Sequence, residues 1–242
     1  MSKGPTRAMI LAAGLGTRMA PLTKERPKPL IELRGKALID HVIDKMVKNG
    51  VTFIVVNVHY IAERLIVHLK KRKDVTIRIC DETDAILDTG GAIAKALPLF
   101  EGQPFFTQNA DSLWVEGMGS SIVRMRARWD PDTMDALMLL APTVTAIGFE
   151  GRGDFVMDAE GLLQRRGEMQ LAPFVWTGFQ IVHPRLFDGA PTGRFSINPL
   201  WDRAIDKGRL FGMRLDGVWI HVGTPQGLTD AERFLSDLAR EP

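Results

Sequence analysis

Three features of the 242-residue chain predict an α/β fold with a mixed, mainly parallel central sheet flanked by helices. Short apolar runs alternate with amphipathic stretches through the first half, as strands joined by crossover helices require. A glycine-rich loop follows the first apolar run directly. The second half turns β-rich, with strand patterns separated by turn residues.

Taken in order, Ala8-Met9-Ile10-Leu11-Ala12 is an apolar run suited to a buried parallel strand. Leu38, Ile39, Val42, Ile43, Met46 and Val47 recur at helical spacing, and Asn49-Gly50 supplies a stop. Phe53-Ile54-Val55-Val56 reads as a strand, Ile61 to Leu69 as a helix and 75–80 as the next strand. Lys70-Lys71-Arg72-Lys73 closes that helix, where positive charge suits the end of the dipole. Gly90-Gly91 precedes a short helix from Ala92 to Leu97, and 104–108 is a strand leading into Asn109-Ala110-Asp111. Further strands are expected at 135–141, 154–158, 173–182, 209–215 and 217–222, with a helix near 197–207 and a last one from Pro225 to Leu238.

At 45% hydrophobic content the chain is long enough for one well-buried domain spanning 1–242 and short for two. A net charge of +2 leaves no basic surplus for nucleic acid or an anionic membrane. The N-terminal MSKGPTR is not followed by a signal-like apolar stretch, and no run approaches the ~20 residues of a membrane helix, so a cytoplasmic protein is expected. Cys80, alone of its type, sits in an alternating strand pattern and is expected to be buried and inert.

The loop 11–29, LAAGLGTRMAPLTKERPKP, carries the chemistry. Gly14 and Gly16 let the backbone turn and present N–H groups to phosphate oxygens, and Thr17 adds a hydroxyl. Arg18 is a planar fork for a polyphosphate, whereas Lys28, framed by Pro27 and Pro29, is a point charge able to sit between two anions. A dinucleotide fingerprint fails at Met19, where a third glycine belongs, and no G-x-x-x-x-G-K-[ST] spacing occurs. A plain turn explains the glycines but not the cations. Asp111 follows a strand at its C-terminal end, where open α/β sheets collect ligands and a carboxylate suits Mg²⁺.

The pattern L-x-x-G-x-G-x-R-x-x-P-x-T-x-x-x-P-K-P, filled from Leu11 to Pro29, resembles the signature of the sugar-nucleotide pyrophosphorylases, or nucleotidyltransferases. The resemblance implies a Rossmann-like nucleotidyltransferase fold, with a nucleotide-binding half at about 1–112 and a β-rich sugar-binding lobe at about 113–242. It implies a cytoplasmic monomer or small homo-oligomer that uses an NTP, a sugar 1-phosphate and Mg²⁺. Arg18, Lys28 and Asp111 become the catalytic residues, with Arg18 on the leaving pyrophosphate and Lys28 bridging the two reacting phosphates. Leu11, Ala13, Gly14, Gly16, Thr17, Asp88 and Gly90 join Arg18 and Lys28 on the nucleotide, while Asn109, Gly153, Glu168 and Thr177 fall to the sugar phosphate.

Two departures stand out. Ala110 replaces the glycine of the usual N-G-D, which matters little if the backbone avoids positive φ. His221 replaces the aspartate of W-x-D-x-G-T, the second metal ligand. Imidazole is a poor ligand for Mg²⁺ and a better one for softer ions. His221 therefore coordinates through nitrogen and favours Mn²⁺, or binds phosphate, or is structural and leaves the metal to Asp111.

Within the family, Leu87-Asp88-Thr89-Gly90-Gly91 and Gly151-Arg152-Gly153-Asp154-Phe155 look most similar to N-acetylmuramate α-1-phosphate uridylyltransferases of peptidoglycan recycling, where UTP is the donor. Mannose-1-phosphate guanylyltransferases are close behind. The chain ends soon after its last strand, so no C-terminal β-helix with a fused acetyltransferase is expected. A regulatory subunit that binds nucleotide sugars without turnover is the alternative of another class, and a nicotinamide-dependent oxidoreductase is a third.

Overall fold

The computed structural model describes residues 4–240. The chain opens with β1 (Arg7–Leu11), the short hairpin β2 (Glu32–Leu33) and β3 (Lys36–Ala37), then α1 (Leu38–Lys48), β4 (Phe53–Val58), α2 (Ala62–Leu69) and β5 (Thr76–Asp81). Next come α3 (Asp88–Ala96), β6 (Phe105–Asn109), β7 (Ser112–Glu116), α4 (Ser121–Arg128) and β8 (Ala136–Pro142). The remainder is β9 (Phe155–Met157), β10 (Leu163–Arg165), β11 (Phe174–Val182), α5 (Asn198–Asp206), β12 (Leu210–Arg214), β13 (Gly217–His221) and α6 (Pro225–Leu238).

One mixed sheet organises these elements. Strands β5, β4, β1 and β6 lie side by side and parallel. Next to β6 runs β11, antiparallel, followed by β8, antiparallel to β11, and β12, parallel to β8. Only β11 and the hairpin strand β10 run against the other seven strands, so the sheet is mainly parallel, as predicted. The β9–β10 hairpin joins the start of β11 through Phe174 and Phe155.

Period-two alternation explains the two cores. On β1 and β4, Ala8, Ile10, Ile54 and Val56 point into the core that also buries Leu38, Ile39, Val42, Ile43 and Met46 of α1. Met9 and Val55 point to the opposite face, against Ala92, Ile93 and Ala96 of α3 and Leu200, Trp201 and Ala204 of α5. Each of the five buried α1 side chains contributes about 1.5–3 kcal/mol of apolar transfer. Cys80 is buried on the α3–α5 face, and burial raises its thiol pKa.

Local expectation and structure differ in three places. Helix α3 begins at Asp88, so Gly90 and Gly91 lie inside it instead of before it. The pair is required there because the chain at Gly193–Phe195 rests on it, and a Cβ on either glycine would overlap that segment. The hairpin β2–β3, strands β7 and β10 and helix α4 are absent from the sequence-based expectation; α4 is a short helix capped by Ser120, whose side chain accepts from Val123 N–H. Strand β13 leaves the main sheet and pairs antiparallel with β7, bringing His221 opposite Ser112.

Candidate active site

A cavity of about 490 Å³ opens where β1, β4, β5 and β6 end, lined along one wall by the loop Leu11–Arg18. Its position follows from the sheet: with these strands parallel, their loops converge on one edge.

Gly16 adopts φ 66°, in the left-handed region. Thr23 closes the loop by donating from its hydroxyl to Gly16 C=O at 3.0 Å. An added Cβ on Gly16 would lie 3.0 Å from Thr23 Cγ2 and 3.1 Å from Lys28 Cβ, so this glycine sets how closely the two ends of the loop approach. Thr17–Met19 forms a single 3-10 turn whose buried member is Met19, and Lys28–Leu30 forms another. Arg18 is thereby left on the cavity wall without an ion pair or side-chain hydrogen bond to any described residue.

Across the cavity, Asp111 occupies the turn between β6 and β7. Ala110 lies outside the residues with positive φ, so the glycine it replaces is not required. The Asp111 carboxylate accepts from Lys28 Nζ through Oδ2, and the two side chains are 12% and 21% exposed for lysine and aspartate. Burial opposes its charge, yet Lys28 and His221 hold its pKa below the usual carboxylate range. Asp111 C=O also accepts from Val222 N–H at 3.0 Å, which fastens the end of β13 beside it. The His221 imidazole stacks on Trp219 with centroids 5.5 Å apart and rests over Gly223, which carries no Cβ to displace it. Burial pushes the His221 pKa down; Asp111 opposes this, while Lys28 and Arg18 add to it.

At the far end, Asn57 joins three strand termini. Its Oδ1 accepts from Ala12 N–H at 2.7 Å and its Nδ2 donates to Glu82 Oε1 at 2.9 Å. Glu82 is almost wholly buried, and burial raises its pKa against the bond from Asn57.

A family model for nucleotidyl transferases matches residues 7–139. The chain belongs to the nucleotidyl transferase family. It is similar to the N-acetylmuramate alpha-1-phosphate uridylyltransferase of Caulobacter vibrioides, with 44% identity over 241 residues covering 98% of this chain and 100% of that protein. The enzyme of the same name from Neisseria meningitidis serogroup B is 32% identical over 231 residues, covering 93% and 96% of the two chains. Among solved structures, the inositol-1-phosphate CTP transferase from T. maritima superposes with a TM-score of 0.78 at 17% identity, covering 100% and 99%. That last likeness is one of fold.

In this nucleotidyl transferase, most residues singled out from sequence do meet at the cavity: Leu11, Ala13, Gly14, Gly16, Thr17, Arg18, Lys28, Asp88, Asn109 and Asp111 all line it. His221 stands just behind the wall that Gly223 forms. Four others lie elsewhere. Gly90 N–H is taken by Phe195 C=O at 2.9 Å, so it is not free to read a base. Thr177 is fully buried and its hydroxyl donates to Leu139 C=O at 2.8 Å, which makes it part of the β11 framework. Gly153, at φ 78°, is a turn packed against Ala172 and Phe174, and Glu168 lies on the exposed loop after β10.

Asn57, Glu82, Ile86 and Arg194 also line the cavity and carry no assignment from sequence, as do Thr89 and Gly223, which fall within segments that the resemblance covers. Asn57 and Glu82 were findable, since each is a polar residue at the C-terminal end of a predicted strand. Arg194 carries no such signal.

Among the described residues no three His, Cys, Asp or Glu side chains converge into a metal cage. Mg²⁺ does not require such a cage, because it keeps waters and takes one or two carboxylates together with phosphate oxygens. Asp111, ionised and beside the cavity, is the donor present for it.

Proposed function

We propose that residues 1–242 form one sugar-1-phosphate nucleotidyltransferase unit that joins UTP to N-acetylmuramate α-1-phosphate, releasing pyrophosphate and supplying UDP-N-acetylmuramate to peptidoglycan recycling. The observation that carries the reading is the Lys28–Asp111 pair facing a glycine loop that holds Arg18. Similarity to two uridylyltransferases of that name supports the substrates.

The chemistry asks for little beyond placement and charge. An oxygen of the sugar phosphate attacks the α-phosphorus of the nucleotide, the α–β bridging P–O bond breaks, and pyrophosphate leaves with the electron pair. No general base is needed, because a phosphate monoester is already largely ionised near neutral pH. Loop N–H groups of Ala13 to Thr17 cradle the phosphates, Lys28 lies between the two reacting phosphates, and Arg18 neutralises the leaving group. Asp111 aims Lys28, and Asn109 borders the sugar phosphate. A bound divalent cation, Mg²⁺ or Mn²⁺, would be held by Asp111 and substrate phosphates and would supply further charge neutralisation. His221 is the residue that would tilt the choice toward Mn²⁺.

A matrix of the four NTPs against several sugar 1-phosphates, read by pyrophosphate release, tests base and sugar together. Highest turnover is expected with UTP and N-acetylmuramate α-1-phosphate. Activity with GTP and mannose 1-phosphate, and none with the expected pair, would overturn the substrate assignment.

A further inference from the structure

We propose that Arg194 is the residue that recognises the lactyl carboxylate of N-acetylmuramate α-1-phosphate, and so sets the sugar preference; this rests on the substrate reading above. N-acetylmuramate is N-acetylglucosamine carrying a lactyl ether on O3, and its carboxylate is ionised at neutral pH. The substrate pair thus brings one more anion than a neutral sugar phosphate would.

Among the described residues three cations line the cavity: Arg18, Lys28 and Arg194. Lys28 is paired with Asp111, and Arg18 belongs to the phosphate loop. Arg194 has no ion pair or side-chain hydrogen bond with any described residue, so its guanidinium is available for a ligand. Its place in the chain points to the sugar. Only Arg194 and Gly223, among the lining residues, come from the second half. Arg194 lies just before α5, and α5 is tied to the β-rich lobe by Arg165 of β10, which donates to Asp202 Oδ1 at 2.7 Å and Asn198 Oδ1 at 3.1 Å.

The mount is firm although the side chain is exposed. Phe195 N–H donates to Leu87 C=O at 3.1 Å, Phe195 C=O accepts from Gly90 and Gly91 N–H at 2.9 and 3.1 Å, and Ile197 N–H donates to Thr89 Oγ1 at 3.1 Å. The segment carrying Arg194 is thus bonded to the N-terminal turn of α3 at the cavity rim. This accounts for the two glycines inside α3: they let the arginine-bearing loop lie flat on the helix. A planar fork held at the rim matches a carboxylate with two parallel N–H···O bonds, a geometry lysine cannot reproduce.

The test compares Arg194→Gln and Arg194→Lys with wild type on N-acetylmuramate α-1-phosphate and N-acetylglucosamine α-1-phosphate, which differ only in the lactyl group. Steady-state kinetics with UTP are combined with dissociation constants of both sugar phosphates, measured by calorimetry with α,β-methylene-UTP. For Arg194→Gln, a rise of about 10- to 100-fold in KM and Kd for the muramate is expected, far exceeding any change for the glucosamine, with an intermediate value for lysine. Equal changes for both sugars, or a change confined to the KM for UTP, would assign Arg194 to the nucleotide and overturn the proposal while leaving the overall reaction standing. If wild type does not use the muramate with UTP, the substrate reading fails and this inference with it. Unchanged melting temperatures establish that the comparison is between folded proteins.

Discussion

Replacing Lys28 with methionine keeps the reach of the side chain and removes its charge. Asp111 then remains, 21% exposed, with no cation on Oδ2. Breaking a buried pair by removing one partner costs about 3–5 kcal/mol, and partial solvent access at Asp111 places this site near the lower figure, about 3 kcal/mol. For a chain of this size that corresponds to a fall of roughly 6–12 °C in Tm. The deficit has a pH signature. In the native protein Asp111 titrates below its unfolded value, so its stabilisation is complete above about pH 4 and is lost as pH falls through the depressed folded pKa. Without Lys28 burial raises that pKa, so the variant loses most at neutral pH and less on acidification. Turnover falls further than stability, because a charged donor on the reacting phosphates is worth about 10²–10³ in kcat. Thermal scans at pH 7 and pH 5, with pyrophosphate release below both melting temperatures, separate the two losses. Lys28→Arg restores most of the stability and little of the rate. A methionine variant with kcat within tenfold of wild type would refute the role given to Lys28.

Other consequences are as direct. Gly16→Ala forces a Cβ into the left-handed region against Thr23 and Lys28, with an expected fall of about 2–8 °C in Tm and a raised KM for the nucleotide; an unchanged KM would remove Gly16 from the phosphate site. His221→Asp should strengthen Mg²⁺-supported transfer relative to Mn²⁺, whereas unaltered metal dependence would exclude coordination at 221. Asp135, buried and bonded to Arg185 Nε at 2.5 Å and Arg209 Nε at 2.8 Å, has a lowered pKa: burial raises it, but the two arginines prevail. Asp135→Asn should therefore lower Tm at pH 7, with the penalty shrinking as pH falls below about 4. A constant penalty across that range would mean the arginines do not depend on the aspartate charge.

What was legible in the sequence is what local chemistry determines. The glycine loop is contiguous, its glycines and cations have fixed spacing, and β1, α1 and β4 around it have unambiguous apolar patterns, so these elements could be read directly, although the hairpin β2–β3 between them could not. The partnership of Lys28 with Asp111 spans 83 positions and was reachable only through the rule that parallel strands gather their loops at one edge. The sugar side was less legible. The resemblance gives Thr177 and Gly153 to the sugar phosphate, yet tertiary packing commits both to the framework of the lobe. Gly90-Gly91 reads as a helix start until the segment at 193–195 is laid across it, and β13 reads as another strand of the main sheet until β7 claims it. Arg194 could not be found from pattern, because nothing near it is periodic and its meaning comes from a loop over 100 residues away from the helix it rests on.

Following the phosphorus atoms decides the central claim. Incubating the protein with UTP, N-acetylmuramate α-1-phosphate and Mg²⁺ under ³¹P NMR should convert the sugar monoester and the nucleotide α-phosphorus into coupled diester doublets, with one pyrophosphate per diphosphate bond formed. Production of UDP and inorganic phosphate, or an unchanged spectrum with every sugar 1-phosphate tried, would contradict attack at the α-phosphorus and with it the assignment of Lys28, Arg18 and Asp111.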